Sequence, residues 1–209
     1  MIKILIADDH TVVRKGLRLL LEEEIIDVIV EEVPEAESLI NKVLSQSWDV
    51  VISDINMPGR SGLDALEQIR SSHPKLPVLI LSSHPEEHYA IRVLKAGASG
   101  YLNKNAASDE LVKAVYRVMQ GKTYFSPNII ERLATNFSMN LKKLSYEGLS
   151  NREFDVMKLL AGGKTVSQIA ETLMLSVTTV STYRTRIMSK TGLHSNQDLT
   201  KYAIENNLL

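Results

Sequence analysis

The first 121 residues repeat one pattern five times: a short apolar, often β-branched run, then a stretch whose apolar positions recur at helical spacing. The runs are Ile2–Ala7, Val28–Val33, Val50–Ile52, Val78–Ser82 and Gly100–Leu102. The helical stretches between and after them are Thr11–Glu23, Glu35–Ser45, Gly62–Arg70, His88–Ala96 and Ser108–Gln120. Ser108 is placed to cap the last, and Gly97 and Gly121 to end the fourth and fifth. In the first, Val12, Val13, Leu17, Leu20 and Leu21 recur at helical spacing. Runs this apolar need cover on both faces, and an open, doubly wound parallel sheet provides it.

The pattern then changes. Residues 122–147 mix Lys, Asn and Ser with isolated apolar positions; Ile129–Leu133 reads as a short helix and Phe137–Tyr146 as linker. From Leu149 the chain is wholly helical. Ser150-Asn151-Arg152-Glu153 has capping-box spacing and opens a helix through Leu160 that breaks at Gly162-Gly163. Helices follow at Val166–Leu173, Val177–Lys190 and Gln197–Glu205, with a tight turn around Met174–Ser176. The expected layout is an α/β domain over 1–121, a linker over 122–147 and an all-α domain over 148–209.

Composition excludes several chemistries. With no cysteine among 209 residues there is no disulfide, thiolate metal cluster or cysteine nucleophile. No run approaches a membrane span, and the N-terminal apolar run meets Asp8 and Asp9 too early for a secretory segment, so a cytoplasmic protein without a membrane partner is expected. The net charge of −1 conceals an asymmetry: residues 1–125 sum to −4 and residues 126–209 to +3.

In a parallel sheet the carboxyl ends of the strands surround one crevice. Asp8 and Asp9 follow the first run, Asp54 the third, Ser82 ends the fourth and Lys104 follows the fifth. Each alone reads as a solvent-facing loop residue. Jointly they gather three acids, a hydroxyl and an ammonium. Converging carboxylates repel unless a cation joins them, and hard oxygen ligands favour Mg²⁺. One carboxylate could then accept a phosphoryl group while the lysine and hydroxyl hold its oxygens. His73, His84 and His88 are too dispersed for a metal triad.

With these residues in place, 1–121 resembles the CheY-like receiver domain of bacterial two-component response regulators. The resemblance implies that Asp54 is the phosphoacceptor and that Mg²⁺ is held by Asp8, Asp9, Asp54 and the Asn56 carbonyl. It implies that Ser82 is the switch hydroxyl, Lys104 the phosphate-contacting lysine and Tyr101 the aromatic whose rotamer follows phosphorylation. One departure is Asn105, where many receivers have a cis proline after the lysine; the related subfamily often lacks that proline, and Ala106 and Asp109-Glu110-Leu111 follow its pattern.

The helix Val177–Lys190 carries Arg184, Arg186 and Lys190, no acid, and the hydroxyls of Thr178, Thr179, Ser181, Thr182, Tyr183 and Thr185; Val177, Val180, Ile187 and Met188 are its expected inward side. Such a face suits a major groove. With Leu149–Glu153, Gly163, Ile169-Ala170, Leu175-Ser176 and Leu199, it resembles the four-helix LuxR-type helix-turn-helix output domain of the NarL/FixJ class. By that resemblance Ser181, Thr182 and Thr185 face bases, Thr179, Tyr183, Arg184 and Lys201 contact backbone, Glu153 ties helices together, and Gln197–Glu205 pairs two domains. Where much of that family has Thr-Val-Lys and a later His, this chain has Thr179-Val180-Ser181 and Tyr183, closer to the RcsB and BvgA kind.

The implied function is a transcription factor phosphorylated with Mg²⁺ by a sensor histidine kinase, forming a homodimer on double-stranded promoter DNA, with RNA polymerase a further partner open to it. It is not an enzyme beyond phosphorylating and dephosphorylating itself. The competing readings are a receiver acting through protein contacts with little DNA binding, and a Mg²⁺-dependent phosphatase.

Overall fold

A computed structural model describes residues 1–84, 86–105, 108–127, 129–131, 145–206 and 208–209, with Glu87, His88, Ser108, Ser145 and Glu147 described by backbone alone. Ala106 and most of the expected linker, residues 132–144, lie outside the described residues, as do the proposed caps and contacts of the Ser108 side chain. The chain divides into two compact units, Met1–Ser138 and Met139–Leu209.

In the first unit, strands β1 (Ile2–Ala7), β2 (Val28–Val33), β3 (Val50–Asp54), β4 (Val78–Ser82) and β5 (Gly100–Asn103) form one sheet in the order β2-β1-β3-β4-β5. Every neighbouring pair is parallel. Helices α1 (Thr11–Glu24), α2 (Ala36–Ser45), α3 (Gly62–Ser72), α4 (Glu86–Lys95) and α5 (Ser108–Met119) connect or follow the strands. All five residues of β3 and of β4 are buried, which is why these strands read as uninterrupted apolar runs. Side chains alternate between faces. Ile4, Ile6, Val50, Ile52, Leu79 and Leu81 form one core with Leu21 of α1 and Leu111, Ala114, Val115 and Val118 of α5. Leu5, Val51 and Ile80, also fully buried, point to the other face, where α2 and α3 bury Leu39, Ile40, Leu63, Leu66 and Ile69.

The strand order reverses between β1 and β3, opening a crevice at their carboxyl ends. Gly62 sets one wall of it. Its N–H donates to the Ile55 carbonyl at 2.8 Å, and a Cβ there would stand 1.8 Å from the Asp54 carbonyl oxygen. Only glycine lets α3 start this close to the β3 backbone.

The second unit opens with a 3₁₀ turn, Ser145–Gly148, followed by α6 (Asn151–Ala161), α7 (Val166–Leu173), α8 (Val177–Thr191) and α9 (Asn196–Glu205). Each α-helix is started by a Ser or Thr side chain accepting a backbone N–H: Ser150, Thr165, Ser176 and Ser195. Ser150 with Glu153, and Thr165 with Gln168, complete capping boxes. Met174 ends α7 in the left-handed conformation (φ 52°) and turns the chain into α8. Phe154, Met157, Ile169, Val180, Ile187 and Leu199 fill the core.

Three expectations require correction. Val177, expected on the inward side of its helix, is 51% exposed in the first turn of α8, and Val12 in the first turn of α1 is likewise exposed. Residues 122–126 do not leave the first unit as plain linker. Tyr124 forms a parallel bridge with Gly100 and so continues the sheet beyond β5. Several boundaries extend slightly: β3 runs to Asp54, α3 to Ser72, and α4 starts at Glu86.

Candidate functional site

The ends of β1, β3 and β5 bring Asp8, Asp54 and Lys104 together. Asp8 is 1% and Asp54 4% exposed. The Lys104 ammonium lies 2.5 Å from Asp8 Oδ2 and 2.8 Å from Asp54 Oδ2. Asp9 is adjacent and more open, and the carboxylates of Asp8, Asp9 and Asp54 with the His10 ring offer donor atoms all within 4.8 Å of one another. Three carboxylates thus face one ammonium, an arrangement short of positive charge.

The electrostatics follow from this crowding. Burial pushes the Asp54 carboxyl up to about 6; the bond and charge of Lys104 oppose the rise, and the Asp8 carboxylate adds to it. Burial works against the Lys104 charge, yet its bonds to Asp54 and Asp8 outweigh that and hold the ammonium above its ordinary value. At neutral pH Asp54 remains ionised while being more basic than a solvated carboxylate, which suits a nucleophile.

The residues present fit a hard divalent cation. Their donors are carboxylate oxygens, the ligand type such a cation prefers, and Asp8 Oδ2 is buried with the Lys104 ammonium at 2.5 Å. The Asn56 amide lies close enough to the Asp54 carboxylate to lower its pKa. The Asn56 side chain points instead to His84, Nδ2 to Nε2 at 2.8 Å.

The hydroxyl side of the crevice is organised by His84, which sequence reading had only rejected as a metal ligand. The His84 N–H donates to Ser82 Oγ at 3.2 Å, and its carbonyl accepts from the Tyr101 hydroxyl at 2.6 Å and from Asn103 Nδ2 at 3.2 Å. Its ring stacks on Tyr89 with centroids 4.8 Å apart. Ser82 is fully buried and Tyr101 3% exposed, so the aromatic is turned inward. His10 was also missed. Its N–H donates to Asp8 Oδ1 at 2.8 Å and its ring contacts Asp9 at 2.6 Å. Its place directly after the acid pair was the available signal. The described backbone holds no cis peptide, and Asn105 instead donates its N–H to Asn103 Oδ1 at 2.9 Å.

In the second unit, α8 buries Val180 and Ile187 on one side. The opposite side exposes Thr178, Ser181, Thr182, Thr185 and Arg186. Thr182 and Thr185 donate their hydroxyls to the Thr178 and Ser181 carbonyls at 3.0 and 3.1 Å, which fixes their rotamers and leaves the oxygens able to accept. Thr179 and Tyr183 are half-buried beside this face, and Arg184 is tied to Asn196 at 3.0 Å. Lys201 is exposed on α9. Lys190 is engaged differently: its ammonium meets buried Glu153 at 2.6 Å, while the same carboxylate oxygen accepts the Ser150 N–H at 2.7 Å. That contact joins the start of α6 to the end of α8. A helix with one apolar seam and a hydroxyl- and guanidinium-bearing outer face is able to lie in a DNA groove.

Comparison with known proteins agrees with both halves. Residues 4–116 match the response regulator receiver domain, and residues 147–203 match the bacterial regulatory proteins of the luxR family. The oxygen regulatory protein NreC of Staphylococcus carnosus is 37% identical over 214 residues, covering 99% of each chain. RcsB from Salmonella enterica serovar Typhimurium, solved bound to promoter rprA with the phosphomimetic BeF3-, is 28% identical with a TM-score of 0.64, covering 97% of this chain and 98% of that one. A LuxR-family response regulator from Aurantimonas sp. is 30% identical with a TM-score of 0.59, over 66% of this chain and 98% of that one. No helix among the described residues is long and apolar enough to cross a membrane.

Proposed function

The chain belongs to the NarL/FixJ family of two-component response regulators, a receiver joined to a LuxR-type helix-turn-helix, and from that membership we propose a transcription regulator switched by phosphorylation of Asp54. Receivers phosphorylate and dephosphorylate themselves and turn over no other substrate. The receiver function resides in 1–121 and DNA binding in 148–209.

The observation that carries this reading is buried Asp54, basic for a carboxylate, bonded to Lys104 at 2.8 Å beside Asp8 and Asp9. An Asp54 oxygen attacks phosphorus on a histidine kinase's phosphohistidine, or on a small acyl phosphate; the P–O bond to Asp54 forms and the donor's P–N or P–O bond breaks. The displaced group leaves with its electron pair. Asp8, Asp9, Asp54 and the Asn56 carbonyl would hold Mg²⁺, which would supply charge to offset the phosphoryl oxygens. Lys104 turns from the carboxylates to a phosphoryl oxygen, and Ser82 donates its hydroxyl to another. Tyr101 responds to the movement of Ser82 and His84. The result favours a homodimer whose two α8 helices read spaced half-sites in promoter DNA. Ser181, Thr182 and Thr185 face bases, with Thr178, Thr179, Tyr183, Arg184, Arg186 and Lys201 toward phosphates. Lys190 serves mainly to hold α8 on α6.

The test is to incubate wild type and Asp54→Ala with Mg²⁺ and acetyl phosphate, follow phosphoryl addition by intact mass, and map genomic DNA captured by each. Wild type gains the phosphoryl mass and binds a discrete set of sites, whereas Asp54→Ala gains none. Equal modification of both proteins would overturn the assignment of Asp54.

A further inference from the structure

We infer that the described residues of 122–127 and 129–131 form a strap clasped across the α4–β5 edge of the receiver, and that the Glu86 carboxylate is its latch, released when Asp54 is phosphorylated. The inference rests on the phosphorylation proposed above and adds the device that passes it toward the linker.

The strap is built contact by contact. Gly121, at φ +75°, reverses the chain after α5, and Arg117 Nε donates to the Thr123 carbonyl at 3.0 Å. Tyr124 then lies along β5: its N–H donates to the Ser99 carbonyl and its carbonyl accepts from the Tyr101 N–H, each at 2.9 Å. Gly100 permits this, since a Cβ there would come within 2.7 Å of the Tyr124 carbonyl oxygen. Further on, the Ser126 N–H donates to Glu86 Oε1 at 3.0 Å. Ser126 also starts a helical turn, accepting the N–H groups of Ile129 and Ile130 on its carbonyl, and Ile129 is 1% exposed.

Both anchors belong to the elements joined to Ser82. Tyr101 holds Tyr124 with its backbone and the His84 carbonyl with its hydroxyl. Glu86, the first residue of α4, follows closely after His84, whose N–H is bonded to Ser82 Oγ. A Ser82 hydroxyl drawn toward a phosphoryl group on Asp54 turns away from the His84 amide. The β4–α4 segment then loses one of its anchors to the crevice, the remaining ones being the His84 carbonyl and ring, and Glu86 shifts with it. A latch of one charge-assisted bond at the strap's outer end opens before the double backbone contact at Tyr124. Phosphorylation thereby moves the point at which the chain leaves the receiver from beyond Ile129 back to about Phe125.

The experiment is amide hydrogen exchange on the full chain, read at Ser126, Ile129 and Ile130 against Ile4–Ile6 as the internal reference. Without any phosphodonor, Glu86→Ala and Ser126→Pro should speed exchange at Ile129 and Ile130 by about ten-fold, with Ser126 itself following in Glu86→Ala. Ser126→Ala keeps the N–H and should leave the Ser126-position amide protected. Unchanged exchange in both latch variants overturns the inference. In the second arm, wild type is treated with Mg²⁺ and acetyl phosphate and modification is scored by mass. Faster strap exchange in modified molecules is expected, and slow strap exchange in molecules that carry the phosphoryl group overturns the release. Absence of phosphoryl mass would count against the proposed function, and the first arm would still decide whether the latch exists.

Discussion

Asp54 is buried, lies close to Asp8 and Asp9, and is bonded to Lys104, the setting that the proposed phosphoryl transfer calls for. Its carboxyl titrates at about 6 in the fold against an ordinary 3.8, with burial the main cause. Folding therefore favours its protonated form. That preference is fully present below pH 3.8 and is lost as pH rises through about 6. Above that, keeping the charge buried costs about 2–3 kcal/mol. Asp54→Asn keeps the shape and removes the charge, so it should raise the urea-unfolding free energy by about 2 kcal/mol near pH 8 and by little near pH 4. The sole tryptophan, Trp48, lies in the first unit and reports its unfolding directly. An equal effect at both pH values would mean that Lys104 offsets the burial completely.

At the scale of elements, the helix-turn-helix is held by caps at one end of each helix and by Met174 at the turn. Met174 adopts φ 52° although it carries a Cβ, and its side chain is 69% exposed, so it contributes strain and little packing. Met174→Gly should stabilise the second unit by about 0.5–1 kcal/mol, seen as a higher thermal midpoint of the helical signal. A lower midpoint would show that the exposed side chain packs in solution. On the next helix, Arg186 is exposed, as are the hydroxyl-bearing Ser181, Thr182 and Thr185. Arg186→Ala should weaken binding to cognate and random DNA alike and reduce the salt slope by about 1, whereas Ser181→Ala should alter sequence preference. Titrations at several salt concentrations separate the two.

These elements were legible in the sequence for identifiable reasons. Strands β3 and β4 are buried throughout, so composition alone marked them, and the Ser150–Glu153 box is a local four-residue signal. The acid–lysine pocket followed from strand ends converging in a parallel sheet. Contacts made between distant segments were not legible. Gly62 reads as an ordinary helix start until its backbone meets Asp54, and Tyr124 reads as linker until it pairs with Gly100. Val12 and Val177 fit the apolar periodicity of their helices, but periodicity does not say where the partner core ends.

For the whole molecule, the opposed charges of the two halves bear on how the chain finds DNA. Residues 1–125 sum to −4 and residues 126–209 to +3, leaving −1 overall. With so little net charge, the proposed binding through α8 gains little from bulk attraction of random duplex DNA at long range. A fragment spanning residues 148–209 is free of the acidic half and should bind random DNA more tightly than the full chain. The difference belongs to long-range electrostatics, so it must follow the Debye length: about 30 Å at 0.01 M salt and about 8 Å at 0.15 M. At 0.01 M the acidic surface and the DNA backbone interact across the span of a domain, and the fragment's advantage should be roughly ten-fold. At 0.15 M it should nearly vanish. Fluorescence anisotropy with one random duplex at both salts checks this. An advantage that persists undiminished at 0.15 M would point to direct occlusion of α8 in the full chain, because only contact survives that degree of screening.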